Sequence, residues 1–428
     1  MDKPLRFCMV TTFYPPYHFG GDGVFVYRLT QALAERGHSV DVIHSVDAYR
    51  LQHPADPEIT FSHHPNVKLH SIETKHPKLS ALSAHQLGRP AAYKNQLRAV
   101  LDCGEYDVIH FHNISLMGGP GVLRLGNALK LCTAHEYWMV CPTHVLFRFN
   151  EEACAQKKCL RCQLIYRRPP QLWRYTGLAQ RCLREIDHLL APSRFTMNWL
   201  RADGLDCPMA LLPHFVPLPV EPAETKEQSN GGRPYFLFVG RLEKLKGVQD
   251  LIRVFGNYSA ADLIIVGNGG YGPVLREQAR GLEHIRFLGG LPSLRVSDLY
   301  RGAIAVLAPS LCYETFGLIA AEAFAHGTPV IARRIGALGE IVEQSGGGFF
   351  FDSLDQCRDQ MERLRAEPQL RDDLGALGRA AYAKNWTVEI HLARYLQIAQ
   401  SLIAARAHTQ GATRDQRFAA VRGTEASL

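Results

Sequence analysis

The chain has 428 residues, 46% of them apolar and 21% charged. That balance excludes wholesale disorder, and at about 100–200 residues per domain the length predicts two to four domains, two being the simplest reading. The net charge is +7, and nearly all of the surplus sits between Cys141 and Arg184, where nine basic residues face only Glu151 and Glu152. A local basic patch fits an anionic ligand or membrane headgroups better than nucleic acid, a solvated face being the plain alternative.

The N-terminal MDKPLRFCMVTTFYPP is too short in its apolar part for a signal peptide and reads as a buried first strand. No apolar run approaches the roughly 18 residues of a membrane span, so the expected compartment is the cytoplasm. Arg6–Thr12 is the first strand. Val24–Arg36 has helical periodicity and stops at Gly37. Ser39–His44, Asp107–Phe111, Leu131–Thr133 and His188–Ala191 are further strands, and Ser193 caps a helix running to about Arg201. Residues 213–234 are rich in Pro, Gly and polar side chains and read as a linker. A second run of strands follows: Tyr235–Val239, Asp262–Val266, Ile285–Leu288, Ala305–Ala308, Pro329–Ala332 and Gly348–Phe351. A helix covers about Thr387–Ala405, and 406–428 reads as a disordered tail. Strands alternating with helices predict two parallel sheets, each covered on both faces. Ligands of such sheets sit at the carboxyl ends of the strands, so two facing domains suit a two-part substrate.

Four segments carry candidate chemistry. In the loop Thr12–Gly23, Gly20 and Gly21 permit close approach of backbone to a ligand, although a plain glycine-rich turn reads the same way. In VGRLEKLKG, residues 239–247, Arg241 and Lys246 stand at a strand end before a helix and suit a diphosphate or, equally, solvent. In residues 309–330, Glu314 and Glu322 are eight apart. Phe316–His326 reads as a helix whose first amides, at Phe316, Gly317 and Leu318, favour phosphate. Glu322 lies inside that apolar helix and needs a partner, a sugar diol or an Arg or Lys from elsewhere. His135 ends a strand, and His112 ends the preceding one; alone, each reads as a structural histidine.

The E-x7-E spacing, V-G-R-L-x-x-x-K-G and P-S-x-x-Y-E-T-F-G-L together resemble the retaining glycosyltransferases of family 4, also called glycosyl transferases group 1, with the GT-B fold. FYPPYHFGGDGVFVYRLTQALAERGHSVDVIH also resembles their first βαβ unit. The resemblance runs from about Arg6 to Leu402. It implies two Rossmann-like doubly wound domains facing across a cleft. Residues 1–215 would form the acceptor side, with a cysteine-rich basic insertion at 141–184. Residues 216–385 would form the donor side, and 386–405 a helix returning to the first domain. It further implies a nucleotide-sugar donor, UDP- or GDP-linked, and a glycan or lipid-linked acceptor. Arg241 and Lys246 would hold the diphosphate, and Glu322 the ribose. Glu314 would position the donor sugar. The amides of Phe316, Gly317 and Leu318 would complete the cradle, with Gly20 and Gly21 approaching from the first domain. Residues 287–291 would meet the base, and His135 would orient the sugar near its anomeric carbon. Retention of configuration without a catalytic metal is implied, and no D-x-D pair occurs in the chain.

The chain departs from the plain pattern at Cys141, Cys154, Cys159 and Cys162. Their spacing suits a structural zinc, with free or paired thiols and an iron–sulfur cluster as alternatives and His144 as a substitute ligand. The other seven of the eleven cysteines are scattered and read as small buried hydrophobes. Arg167, Arg168 and Arg174, interleaved with Tyr166, Trp173 and Tyr175, suit a lipid-linked acceptor or an anionic membrane, placing the protein at the inner membrane face. Two other readings compete: an epimerase or phosphorylase on the same fold, and a zinc-dependent nucleic-acid-binding module, although no nucleic-acid partner is expected.

Overall fold

The computed structural model describes residues 3–218, apart from 54, 58 and 103, and residues 232–408. The first strand, β1 (Arg6–Val10), sends Phe7 and Met9 into one core cluster and Cys8 and Val10 into another. Apolar side chains on both sides of a two-residue repeat are what a strand needs when both faces of its sheet are covered. β2 (Ser39–Ser45), β3 (Val67–Ile72), β4 (Val108–Phe111) and β5 (Leu129–Thr133) follow. β6 (Phe147–Arg148) and β7 (Glu152–Ala153) form a separate antiparallel ribbon. β8 (His188–Ala191) and β9 (Met209–Leu211) complete a seven-stranded sheet of order β3-β2-β1-β4-β5-β8-β9. Its pairings are all parallel.

The second sheet consists of β10 (Tyr235–Val239), β11 (Asp262–Val266), β12 (Ile285–Gly289), β13 (Val306–Ala308), β14 (Val330–Arg333) and β15 (Gly348–Phe351). Its order is β12-β11-β10-β13-β14-β15, again parallel throughout. Leu237 packs on one face and Phe236 and Phe238 on the other. Both sheets start at a central strand, build outward on one side and then cross to the other. Each therefore has a switch point, between β1 and β4 and between β10 and β13, where loops part and leave a crevice.

Several expected boundaries move for identifiable reasons. The helix expected at Phe316–His326 spans Leu318–Ala325, because Gly317 takes φ 103° and caps it, leaving Phe316 buried ahead of the first turn. The helix expected from Val24 already starts at Gly21. The last helix runs from Val388 to His408, so Arg406–His408 is helix and not tail; 409–428 lie outside the described residues. The expected linker is in part core. Phe215 is buried in the first domain and Val216 in the second, while 219–231 lie outside the described residues.

The chain crosses between domains a second time after Trp386. The Val216 N–H donates to the Trp386 carbonyl at 3.0 Å, and the Tyr382 hydroxyl to the Val216 carbonyl at 3.0 Å. Helix Val388–His408 then lays Leu392, Tyr395, Ile398 and Leu402 into the first domain's core beside Phe7 and Met9. Full burial of each such aliphatic side chain contributes about 1.5–3 kcal/mol, which is why this helix is held to the first domain.

Candidate active site

On the first domain's side, two histidines follow strand ends beside the switch point and a third stands inside a strand. His112 follows β4 and His135 follows β5, and their rings meet, Nδ1 of His112 lying 2.9 Å from Nε2 of His135. His110, inside β4, bonds the Thr133 hydroxyl at 2.8 Å and the Tyr395 hydroxyl at 3.0 Å. The His214 ring stacks on His135 at 4.9 Å, with Phe25 edge-on at 5.3 Å. Burial pushes the His135 imidazole down to about 4, against an opposing pull from Glu136. His110, His112 and His214 are lowered too, first by burial and then by neighbouring histidines, His135 for His110 and for His214, and His110 for His112. The cluster is therefore neutral at physiological pH, and each ring can both donate and accept.

Gly20 takes φ 107°, a conformation that side-chain-bearing residues rarely adopt, and a Cβ there or at Gly21 would meet nothing within 4 Å. Open space above both glycines leaves room for a ligand. The helix Gly21–Glu35 starts here, and its Asp22 accepts from the Gly23 N–H at 2.9 Å and from the Asn113 amide at 3.1 Å. Burial and then Glu136 raise the Asp22 carboxyl. Asp22 and Asn113 escaped the sequence reading, since a lone Asp after two glycines and an Asn past a strand carry no spacing signal.

On the second domain's side, Arg241 follows β10 and Glu314 follows β13. Lys246 Nζ donates to Glu314 Oε1 at 2.6 Å, and the Ser310 hydroxyl donates to the same oxygen at 2.7 Å. Burial works against both charges, but each outweighs it for the other. The Lys246 ammonium is held above its usual range and the Glu314 carboxyl below. Arg241 is mostly exposed and pairs with Glu243 at 3.0 Å. Among the described residues, neither an Arg nor a Lys stands at bonding distance from Glu322. Its Oε2 accepts from the Tyr300 hydroxyl at 2.8 Å, and its Oε1 bonds to no described residue. Burial raises its carboxyl, opposed by Tyr300 and then by Arg28 of the first domain. The strand segment Phe287–Gly289 is partly exposed at the outer edge of the second sheet.

The two sets of residues face each other. The Thr315 hydroxyl donates to the His135 carbonyl at 3.0 Å. The hydroxyls of Ser193 and Thr196 donate to the Thr315 carbonyl at 2.8 and 3.0 Å. Glu340 of the second domain accepts from the first amides of helix Arg194–Ala202, Arg194 and Phe195, at 2.9 and 2.8 Å. Phe147 of the β6–β7 ribbon packs against Leu245 and Cys312, neighbours of Lys246 and Glu314.

Cys141, Cys154, Cys159 and Cys162 line one cavity with Phe147 and Arg148, all four as free thiols. Among the described residues, no three His, Cys, Asp or Glu side chains stand in an arrangement that could hold a metal ion. His144 does not join the thiols; its Nδ1 bonds Glu136 at 2.8 Å. Two side chains expected to face outward turn inward. Trp173 is 2% exposed and donates to the His85 carbonyl at 3.0 Å, and Arg174 donates to backbone carbonyls of 138–141. A one-turn helix, Leu172–Tyr175, folds that segment back on the domain.

The first half, residues 19–218, matches the model described as Glycosyltransferase Family 4, and residues 220–381 match Glycosyl transferases group 1. The glycogen synthase of Mycobacterium tuberculosis is 28% identical over 79% of this chain and 80% of its own. The D-inositol 3-phosphate glycosyltransferase of Kribbella flavida is 27% identical over 94% of this chain and 98% of its own. Sucrose-phosphate synthase from Thermosynechococcus elongatus superposes with a TM-score of 0.70 at 21% identity, covering 94% of this chain and 100% of that one. Anabaena HepE in complex with UDP-glucose gives 0.67 at 16% identity, covering 93% and 100%. At these identities the superpositions establish a shared two-domain α/β fold.

Proposed function

Since this chain belongs to the family 4 glycosyltransferases, of the group 1 type, we propose that it moves a sugar from a nucleoside-diphosphate donor to a glycan or lipid-linked acceptor, with retention and without a catalytic metal. The observation that carries this reading is the Lys246–Glu314–Ser310 cluster, which faces His135 across the Thr315 bond. Departure of the nucleoside diphosphate breaks the anomeric C–O bond and leaves negative charge on phosphate oxygen. Lys246, Arg241 and the first amides of helix Leu318–Ala325 meet that charge, an effect worth about 10²–10³ in rate for a single well-placed donor. The acceptor hydroxyl attacks from the departing group's face, and its proton passes to the leaving phosphate oxygen. Glu314 holds the donor sugar's hydroxyls, Glu322 accepts from the ribose through its free Oε1, and neutral His135 orients the sugar. Gly20 and Gly21 leave the phosphate unobstructed from the first domain.

UDP or GDP is the expected diphosphate, and Anabaena HepE, which shares the fold, is solved in complex with UDP-glucose. No helix among the described residues is long and apolar enough to cross a membrane. An anionic membrane at the cytoplasmic face is nonetheless part of the reading. Leu160, Leu164, Ile165, Leu172 and Tyr175 are exposed beside exposed Arg161, Arg167 and Arg168, an apolar patch rimmed by cations.

The test is thermal stability of the purified protein against UDP, GDP, ADP and TDP. A ligand at about 100 times its Kd stabilises by roughly 2.7 kcal/mol. A selective shift from one diphosphate, followed by product analysis of the matching nucleotide sugars, supports the reading. No shift from any of them, with or without sugar attached, overturns it.

A further inference from the structure

The transfer reaction leaves unused a dense group of aromatic side chains beside the glycine loop. Three stretches of chain supply it: residues 13–19 after β1, Tyr49 and His53 after β2, and Phe61 ahead of β3. The Phe19 and Tyr49 rings stack at 4.9 Å with 13° between their planes. His53 closes on both, 5.3 Å from Phe19 and 5.8 Å from Tyr49. Tyr17 meets Tyr49 edge-on at 5.6 Å, and Phe61 meets His18 edge-on at 5.6 Å. The loops can touch because β1 and β2 are parallel neighbours, so the segments leaving them emerge at one edge of the sheet.

This group is not closed off as core. Tyr17, Phe19 and Tyr49 are partly exposed, and His53 is exposed. Its tyrosines are of two kinds. The Tyr14 hydroxyl bonds the Thr30 hydroxyl at 2.7 Å, and the Tyr27 hydroxyl donates to the Ser62 carbonyl at 2.7 Å. The hydroxyls of Tyr17 and Tyr49 have no hydrogen-bond partner among the described residues. Open rings edged by unused hydroxyls suit a ligand that is apolar on its faces and polar around its rim. A pyranose ring is such a ligand: its axial C–H bonds face the π-electrons of an aromatic ring, and its hydroxyls lie at the edge. An anion suits the place less well. The only cation of the short helix Val46–Arg50, Arg50, is already paired with Asp56 at 3.0 Å and Glu73 at 3.3 Å.

We propose that Tyr17, Phe19, Tyr49 and His53 form a subsite for a glycan acceptor, in which one pyranose lies against the rings and bonds the hydroxyls of Tyr17 and Tyr49. The subsite adjoins the candidate active site. His18, between Tyr17 and Phe19, accepts at Nδ1 from the Gly20 N–H at 3.0 Å, and Gly20 and Gly21 have open space above them. The rings also lie at the carboxyl ends of β1 and β2, the edge where ligands of such sheets sit. The proposal rests on the transfer reading and narrows its acceptor to one that carries a sugar ring. Sugar contact is read without nucleotide, so the two fail separately.

The experiment is saturation-transfer NMR on the full-length chain without nucleotide, with maltotriose, cellotriose and mannotriose as probes. At least one should receive saturation at its ring C–H protons. Phe19→Ala and Tyr49→Ala should each reduce that signal to background. Tyr49→Phe keeps the ring and loses one hydrogen bond, and should weaken binding about 3–10-fold. In all three variants the thermal shift with the selected nucleoside diphosphate should be unchanged. No saturation of any of these sugars by the unaltered chain overturns the proposal. So does an unchanged signal in Tyr49→Ala, or a diphosphate shift lost in Tyr49→Ala with the fold intact, which would seat the nucleotide on these rings. Sugar contact with no diphosphate shift in the unaltered chain overturns the transfer reading and keeps the sugar subsite. Should the alanine variants not fold, Tyr49→Phe decides, and unchanged affinity there overturns the proposal.

Discussion

Lys246 and Glu314, which lie 68 residues apart, meet at 2.6 Å, each holding the other charged in a site whose burial disfavours both. The pair keeps a charged ammonium at the carboxyl ends of β10 and β13, where the proposed transfer needs a cation for the phosphate. A paired cation is poised at lower cost than a bare one, because no isolated charge waits in the cleft.

Lys246→Met should therefore lower kcat by about 10²–10³, the range for losing one charge stabiliser. It should also lower the melting temperature, since Glu314 is left unpaired. Adding Glu314→Gln should restore much of the stability and none of the activity. Recovery of activity in the double variant would refute the assignment of Lys246 to the leaving group.

Glu322→Gln should weaken diphosphate binding by about 10-fold or more, the usual effect of losing a hydrogen bond to a charged group at about 1.5–3 kcal/mol. The melting temperature without ligand should hold or rise slightly, because burial already raises this carboxyl. Calorimetry with the diphosphate identified by thermal shift decides the matter; an unchanged Kd removes Glu322 from the ribose.

Stability should fall as pH drops from about 6.5 toward 4. His135 and His391 are pushed down to about 4 by burial, and His110, His112 and His214 are lowered as well. Below pH 6.5 the unfolded chain takes up protons that the folded chain refuses, so the stabilisation present above that pH is progressively lost. Melting curves across this range should show a steeper slope for the unaltered chain than for His391→Gln. Equal slopes would mean that His391 does not titrate differently in the two states.

Glu340→Ala removes the carboxylate that caps helix Arg194–Ala202 from the other domain. The expected loss is about 1 kcal/mol, as for other lost N-caps. Because the cap spans the cleft, KM for the donor should rise while each domain keeps its secondary structure. A lower melting temperature with KM unchanged would limit Glu340 to stability.

Much of the second domain's site is legible in sequence because its chemistry is compressed into short runs. Arg241 and Lys246 share one loop, and Glu314 and Glu322 flank one helix start. The first domain's side is not legible in this way. Asp22, Asn113, His214 and His391 are single residues brought together only by the order β1-β4-β5 and by the returning helix. Composition misled at two places. The prolines around Phe215 and Val216 suggested an exposed linker, but a chain crossing between two cores must bury such side chains. Trp173 and Arg174 looked outward-facing among other arginines, but a single tight turn directs them into the domain, where Trp138 and backbone carbonyls receive them.

The returning helix Val388–His408 also constrains how the protein is made. The second domain's core clusters are drawn from one stretch of chain that ends before this helix. The first domain cannot finish, because a strip of its core around Phe7 and Met9 stays uncovered until Leu392, Tyr395 and Leu402 arrive. The domain synthesised first is therefore completed last.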